Sequence, residues 1–130
     1  MHLSLVRMSI LLAIVGAAAC SSDASTGGCS PEALRPAIVV EAVAASGPTL
    51  TSGTTGAVHD GQYIDSLRPF QSGIGGIQSL GAALNRPGTY NVTVIHAGYL
   101  PWEKDGVVVA GDACGIKASV ELVAQLEPAP

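Results

Sequence analysis

From Ala37 onward the chain alternates apolar and polar side chains in short runs, broken by glycine, proline and Asp-Gly pairs. A period of two sends alternate side chains to opposite faces of a strand, a division that a helix would scramble. In "IKASVELVAQLEP", Ile116, Ala118, Val120, Leu122, Ala124 and Leu126 share one face, and Lys117, Ser119, Glu121 and Gln125 the other. "TYNVTVIH" opposes Tyr90, Val92 and Val94 to Asn91 and Thr93, and "AIVVEAVA" predicts a strand over Ala37–Ala44 with Glu41 on its outer face. "GAVHD" and "QYIDSL" flank Gly61 and read either as one bulged strand or as a tight hairpin turning at Asp60-Gly61. "GVVVA" after Asp105-Gly106 is short and apolar. In "QSGIGGIQSLGAAL" the glycines 73, 75, 76 and 81 resist a helix, which leaves Ile77–Leu84 as a strand or a single helical turn. About seven strands with almost no helical period predict an all-β, Greek-key β-sandwich rather than a barrel enclosing a ligand.

The N-terminus follows a different rule. "MHLSLVRMSILLAIVGAAAC" carries one cation, Arg7, then the apolar run Met8–Ala19, then small residues ahead of Cys20. That is the layout of a secretory signal, and the run is shorter than the roughly 20 residues of a spanning helix. "GAAAC" resembles the lipobox of bacterial lipoproteins, whose cysteine becomes the acylated N-terminus, although Ala17 stands where leucine is usual. The resemblance implies lipid on Cys20 and anchorage at a cell membrane or outer membrane, facing away from the cytoplasm; Ser21 after the cysteine points to outer-membrane sorting in a Gram-negative source. It also resolves an odd count. Three cysteines in an exported chain leave one over; with Cys20 lipidated, Cys29 and Cys114 remain to form a disulfide, the alternative being two buried thiols. The expected organisation is a signal peptide over 1–19, a flexible tether over 20–30 and a β-sandwich over 31–130.

Charge narrows the partners. A net charge of −4 and six scattered basic residues exclude a nucleic-acid binder, which needs clustered Lys and Arg. Aromatic residues are few, with Tyr 3, Trp 1 and Phe 1, and three of them fall in "GTYNVTVIHAGYLPW". Tyr90, near the start of a central strand after the Pro87-Gly88 turn, is placed to be a buried pin whose hydroxyl ties down a neighbouring connection. Tyr99 and Trp102 lie past the strand end, where they either fold over the rim or stand exposed as a stacking surface.

Taken in order, the cysteine before the first strand, "VHDGQYIDSL", "RPGTYNVTVIHAGYLPW", the valine strand and "GDACGIKASVELVAQLEP" resemble the carboxypeptidase regulatory-like domains. These are prealbumin-like β-sandwiches of bacterial envelope proteins, and the resemblance spans roughly Cys29–Pro128. It implies an accessory module with a structural or protein-interaction role and no catalytic residues, hence no enzyme and no cofactor. A carbohydrate- or peptide-binding module using Tyr99 and Trp102 is the rival reading.

Catalytic and metal motifs are sparse. There is no serine elbow flanked by glycines and no phosphate loop, and "GIGG" lacks the lysine such a loop needs. His59, Asp60 and His96 are residue types that could hold zinc or copper, yet no closely spaced ligand pair occurs among them, so no metal site is expected. Glu103 and Asp105, with Lys104 between them, read as a solvated hairpin tip. Asn91-Val92-Thr93 fits a glycosylation acceptor and reads as a solvent-facing strand segment.

Overall fold

A computed structural model of the protein describes Cys29, residues 34–71 and residues 78–130. The expected signal peptide, Cys20 and the tether up to residue 28 lie outside these residues. The described chain is all-β: β1 (Pro36–Ala44), β2 (Thr55–Asp60), β3 (Tyr63–Ser66), β4 (Arg68–Gln71), β5 (Gln78–Leu84), β6 (Gly88–Ile95), β7 (Trp102–Val109), β8 (Gly111–Asp112), β9 (Gly115–Ile116) and β10 (Val120–Leu126). One sheet has the order β10-β1-β5-β4 and the other β3-β2-β6-β7, with β8-β9 as a separate two-stranded ribbon. The first and last strands, β1 and β10, run parallel; the other pairs are antiparallel.

A single core joins the two sheets. Ile38, Val40 and Ala42 from β1, Leu80 and Ala82 from β5, and Leu122, Ala124 and Leu126 from β10 meet Val58 of β2, Tyr90, Val92 and Val94 of β6, and Val107 and Val109 of β7. The period-two pattern of β6 is realised in full, with Tyr90, Val92 and Val94 buried and Thr89, Asn91 and Ile95 exposed. β1 is buried continuously from Pro36 to Val40, as suits a central strand rich in Val, Ile and Ala.

The segment around Gly61 is a hairpin. Asp60 pairs with Tyr63 across the two-residue loop Gly61-Gln62, and Gly61 takes φ +59°, the position that a II′ turn reserves for glycine. β3 does not end there. After Ser66 the chain passes at buried Leu67, whose N–H donates to the Gly56 carbonyl, from one sheet into β4 of the other. Sandwich corners form in this way, by strands that switch sheets. The residues 78–84 form strand β5 and not a helical turn.

Two sequence expectations need correction. The long strand expected from Ile116 to Leu126 is broken: Gly115–Ile116 closes the β8-β9 ribbon, and β10 starts only at Val120. Lys117 N–H donates to the Ala110 carbonyl, and the Ser119 hydroxyl donates to the Pro36 carbonyl, so this stretch serves as a crossing rather than a ladder. The hairpin tip expected at Glu103-Lys104-Asp105 is instead part of edge strand β7, and the β6–β7 turn lies at His96–Pro101. Asp105-Gly106 marks a bulge: the register slips between Tyr90 and Val92, Gly106 takes φ +68°, and its N–H donates to the Asn91 Oδ1.

Candidate functional site

Cys29 and Cys114 form a disulfide with Cα atoms 5.2 Å apart, closing a sequence separation of 85. It joins the chain ahead of β1 to the turn of the β8-β9 ribbon. That turn is held from a second direction. Asn85, in the left-handed region at φ +51°, donates from Nδ2 to the Cys114 carbonyl and accepts from Ile116 N–H at Oδ1, and Cys114 N–H donates to Asp112 Oδ1.

Two polar clusters occupy opposite ends of the second sheet. At the first, Tyr90 is fully buried, and its hydroxyl donates to the Arg86 carbonyl at 2.6 Å, tying the β5–β6 connection to the strand it feeds. Arg86 Nη1 donates to the Tyr90 oxygen at 3.1 Å and to Asp60 Oδ2 at 2.9 Å, and its guanidinium lies 3.9 Å from the centre of the Tyr63 ring. Tyr63 packs edge-on against Tyr90, the ring centres 6.4 Å apart. The hydrogen bonds from Arg86 to Tyr90 and Asp60 raise the Arg86 pKa further above its ordinary value. Burial, with help from the Asp65 charge and from Tyr90, raises the Tyr63 phenol, and Arg86 partly opposes this. A Cβ at Gly88 would stand 2.4 Å from Asp60 Oδ2, so a larger residue there would displace the Asp60 carboxylate from its place beside Arg86. Every partner in this cluster is internal, and the arrangement fixes the turn.

At the other end, His96 Nδ1 lies 2.8 Å from the Thr54 Oγ1, while the Thr54 hydroxyl hydrogen-bonds the Leu50 carbonyl. A hydroxyl has one proton to give. Since the Leu50 carbonyl can only accept, Thr54 donates there and its oxygen accepts from Nδ1–H of His96. This polarity is the reverse of a nucleophile paired with a general base, in which the hydroxyl would give its proton to the ring. The His96 ring meets Tyr99 edge-on at 5.4 Å.

Tyr99 and Trp102, the expected contact residues, are both half-buried and pack against the core, with exposed Leu100 and Pro101 between them. The Tyr99 backbone is clamped: its N–H donates to the His96 carbonyl, it bridges Pro128, Leu100 N–H donates to the Glu127 carbonyl and Ala129 N–H to the Gly98 carbonyl. The rim is thus a fixed surface, with part of each ring open to solvent.

The residue types considered as metal ligands are separated. His59 points outward from β2 opposite Asn91, whereas His96 follows Ile95, which pairs with Thr55. Four residues of strand, about 13 Å, lie between those positions. Asp60 is engaged by Arg86. Among the described residues no three His, Cys, Asp or Glu side chains converge. Glu103 and Asp105 are exposed on β7.

The sequence pointed to Tyr90 but missed Asp60, Tyr63 and Arg86 as its companions. The available signal was "RPGTY", which sets a cation four residues before a tyrosine across a turn. Thr54 gave no signal at all. Neither the family models nor the curated proteins compared with this chain match it.

Proposed function

We propose that this protein is a lipid-anchored module of the cell envelope, held outside the cytoplasm through Cys20, with a non-catalytic structural or protein-interaction role. The observation that carries the reading is the Cys29–Cys114 disulfide. It accounts for two of the three cysteines and leaves the one that follows "GAAA" at the end of an apolar leader. Disulfides persist in oxidising compartments outside the cytosol, so the pairing and the leader agree on an exported chain. Acyl chains contribute about 0.8 kcal/mol per buried methylene, enough for a multiply acylated terminus to hold a small domain at a bilayer without a spanning helix. The sandwich, with a disulfide-bonded cysteine ahead of the first strand, suits the carboxypeptidase regulatory-like, prealbumin-like type of accessory domain. The test is Cys20→Ala in the intact chain. It should abolish labelling by a fatty-acid analogue and move the protein from membrane to soluble fractions, and persistent labelling would refute the anchor.

A second reading is favoured by one observation: Tyr99 and Trp102 lie on a clamped rim with part of each ring exposed. Such a surface suits the apolar face of a sugar or a peptide side chain. Titration with cell-wall glycans, followed through the fluorescence of Trp102, decides this reading; a silent titration rejects glycan binding.

A further inference from the structure

Beside the corner where Leu67 carries the chain from β3 into β4, a cleft opens between the two strands and the end of β5. Its origin is a mismatch of strand lengths. β4 pairs with β5 from Gln78 only as far as Gly81, whereas β5 runs on to Leu84. The last residues of β5 therefore lack a neighbouring strand on that side, and a side chain of β3 takes the place of a strand acceptor. Ala83, at φ +59°, donates its N–H to Asp65 Oδ2 at 2.9 Å.

The cleft encloses about 120 Å³. Pro36, Phe70 and Leu84 give it apolar walls, with Phe70 half-buried and Leu84 58% exposed. Gly81 permits this closeness, since a Cβ there would stand 2.7 Å from Pro36 Cγ and 3.3 Å from Phe70 Cβ. A cavity of about 150 Å³ holds benzene in another protein, so the volume suits one branched aliphatic side chain and falls short of the roughly 300–1,000 Å³ that take drug-sized ligands.

Two opposite charges border these walls. Asp65 is fixed by Ser66 N–H on Oδ1 at 3.0 Å and by Ala83 N–H on Oδ2, which uses two of the roughly four acceptor positions of a carboxylate. The remaining lone pairs can take an ammonium group. Arg68 also lines the cleft, and its guanidinium has no hydrogen-bond or ion-pair partner among the described residues, unlike that of Arg86. No ion pair joins it to Asp65, so its donors are open to a carboxylate, which a guanidinium can hold at two points. Charges that border one cleft without neutralising each other suit a ligand that carries both signs.

We propose that this cleft binds a free α-amino acid with a small apolar side chain. The carboxylate sits on Arg68, the ammonium on Asp65, and the side chain against Pro36, Phe70 and Leu84. The site is separate from Tyr99 and Trp102, and it needs neither the anchor nor the rim reading. A ligand of this size binds with a Kd on the order of 1 mM.

The test is titration of the intact protein with L-leucine to about 20 mM, followed through two-dimensional amide NMR spectra. The Arg68, Gly81, Ala82 and Leu84 amides should shift together and saturate, while those of Tyr99 and Trp102 stay in place. Glycine, L-leucinamide and isocaproate remove in turn the side chain, the carboxylate and the ammonium, and each should bind about tenfold more weakly or worse. Arg68→Gln should weaken L-leucine binding by a similar factor with the melting temperature unchanged, because the guanidinium holds nothing within the fold. An absence of saturable shifts, equal binding of L-leucine and either single-charge analogue, or an Arg68→Gln variant that binds as wild type does would each overturn the proposal.

Discussion

Removing one oxygen atom, in Tyr90→Phe, tests what holds the β5–β6 connection. The ring is fully buried, so phenylalanine keeps the packing and deletes only the hydroxyl. Two hydrogen bonds go with it, the 2.6 Å donation to the Arg86 carbonyl and the 3.1 Å donation received from Arg86 Nη1. The second is cheap to lose, because Arg86 keeps Asp60 and is partly open to water. The first is not. A net hydrogen bond contributes about 1 kcal/mol, and leaving a sheltered carbonyl without its donor costs about 1–3 kcal/mol, so a loss of about 2 kcal/mol is expected. For a domain of this size that lowers the melting temperature by about 8–16 °C. Guanidinium unfolding followed by Trp102, the single tryptophan, measures it directly, with Cm falling and m unchanged. Arg86→Met should remove much less, and the double variant should show little beyond Tyr90→Phe, since the strong bond goes to the backbone of residue 86. A Tyr90→Phe loss below about 0.5 kcal/mol would show that the hydroxyl does not secure the turn.

Other perturbations probe the corner, the staple and the tyrosine cluster. Gly56→Ala places a Cβ 2.2 Å from the Thr93 carbonyl oxygen and 2.7 Å from Leu67 Cδ1, so β2 must part from β6 at the sheet corner; a loss of about 1–3 kcal/mol in chemical unfolding is expected, and a neutral outcome would refute the close approach. Replacing both Cys29 and Cys114 with Ser frees a separation of 85 residues in the unfolded chain, for which loop entropy predicts a loss of about 4–5 kcal/mol; an unchanged thermal melt would show that the bond adds nothing. Burial and Asp65 raise the Tyr63 pKa above 10.0 in the folded state. The associated stability is therefore complete below pH 10 and declines as pH rises from there through the folded value, and Tyr63→Phe should flatten that decline in urea titrations run across the alkaline range.

Much of the sheet structure was legible because one face of a strand is buried and the other is not. β6 shows this most cleanly, and in β10 the same alternation gave the residues from Val120 onward. The pattern could not reveal that the strand is interrupted over residues 117–119, because the interruption comes from long-range bonds to Ala110 and Pro36, 83 residues away in the case of Ser119. β4 was missed for a related reason: "RPFQ" contains a proline and has no alternation, and it pairs only because Leu67 carries the chain around the corner into an edge position where a missing N–H is tolerated. Asp105-Gly106 carried a true turn signal but a bulge answers it as well as a hairpin does, and only the register between β6 and β7 separates the two. Of the candidate site, the Cys29–Cys114 pairing followed from counting thiols. The Asp60–Arg86–Tyr63 cluster did not, since the β2–β3 and β5–β6 turns that supply it meet only in the folded sheet.

Intact-mass analysis and non-reducing peptide mapping of the protein recovered from its native membrane test the central claim most directly. The account predicts an N-terminus at Cys20 bearing acyl chains, together with a linked peptide pair containing Cys29 and Cys114. An unmodified Cys20, or free thiols at 29 and 114, would contradict it.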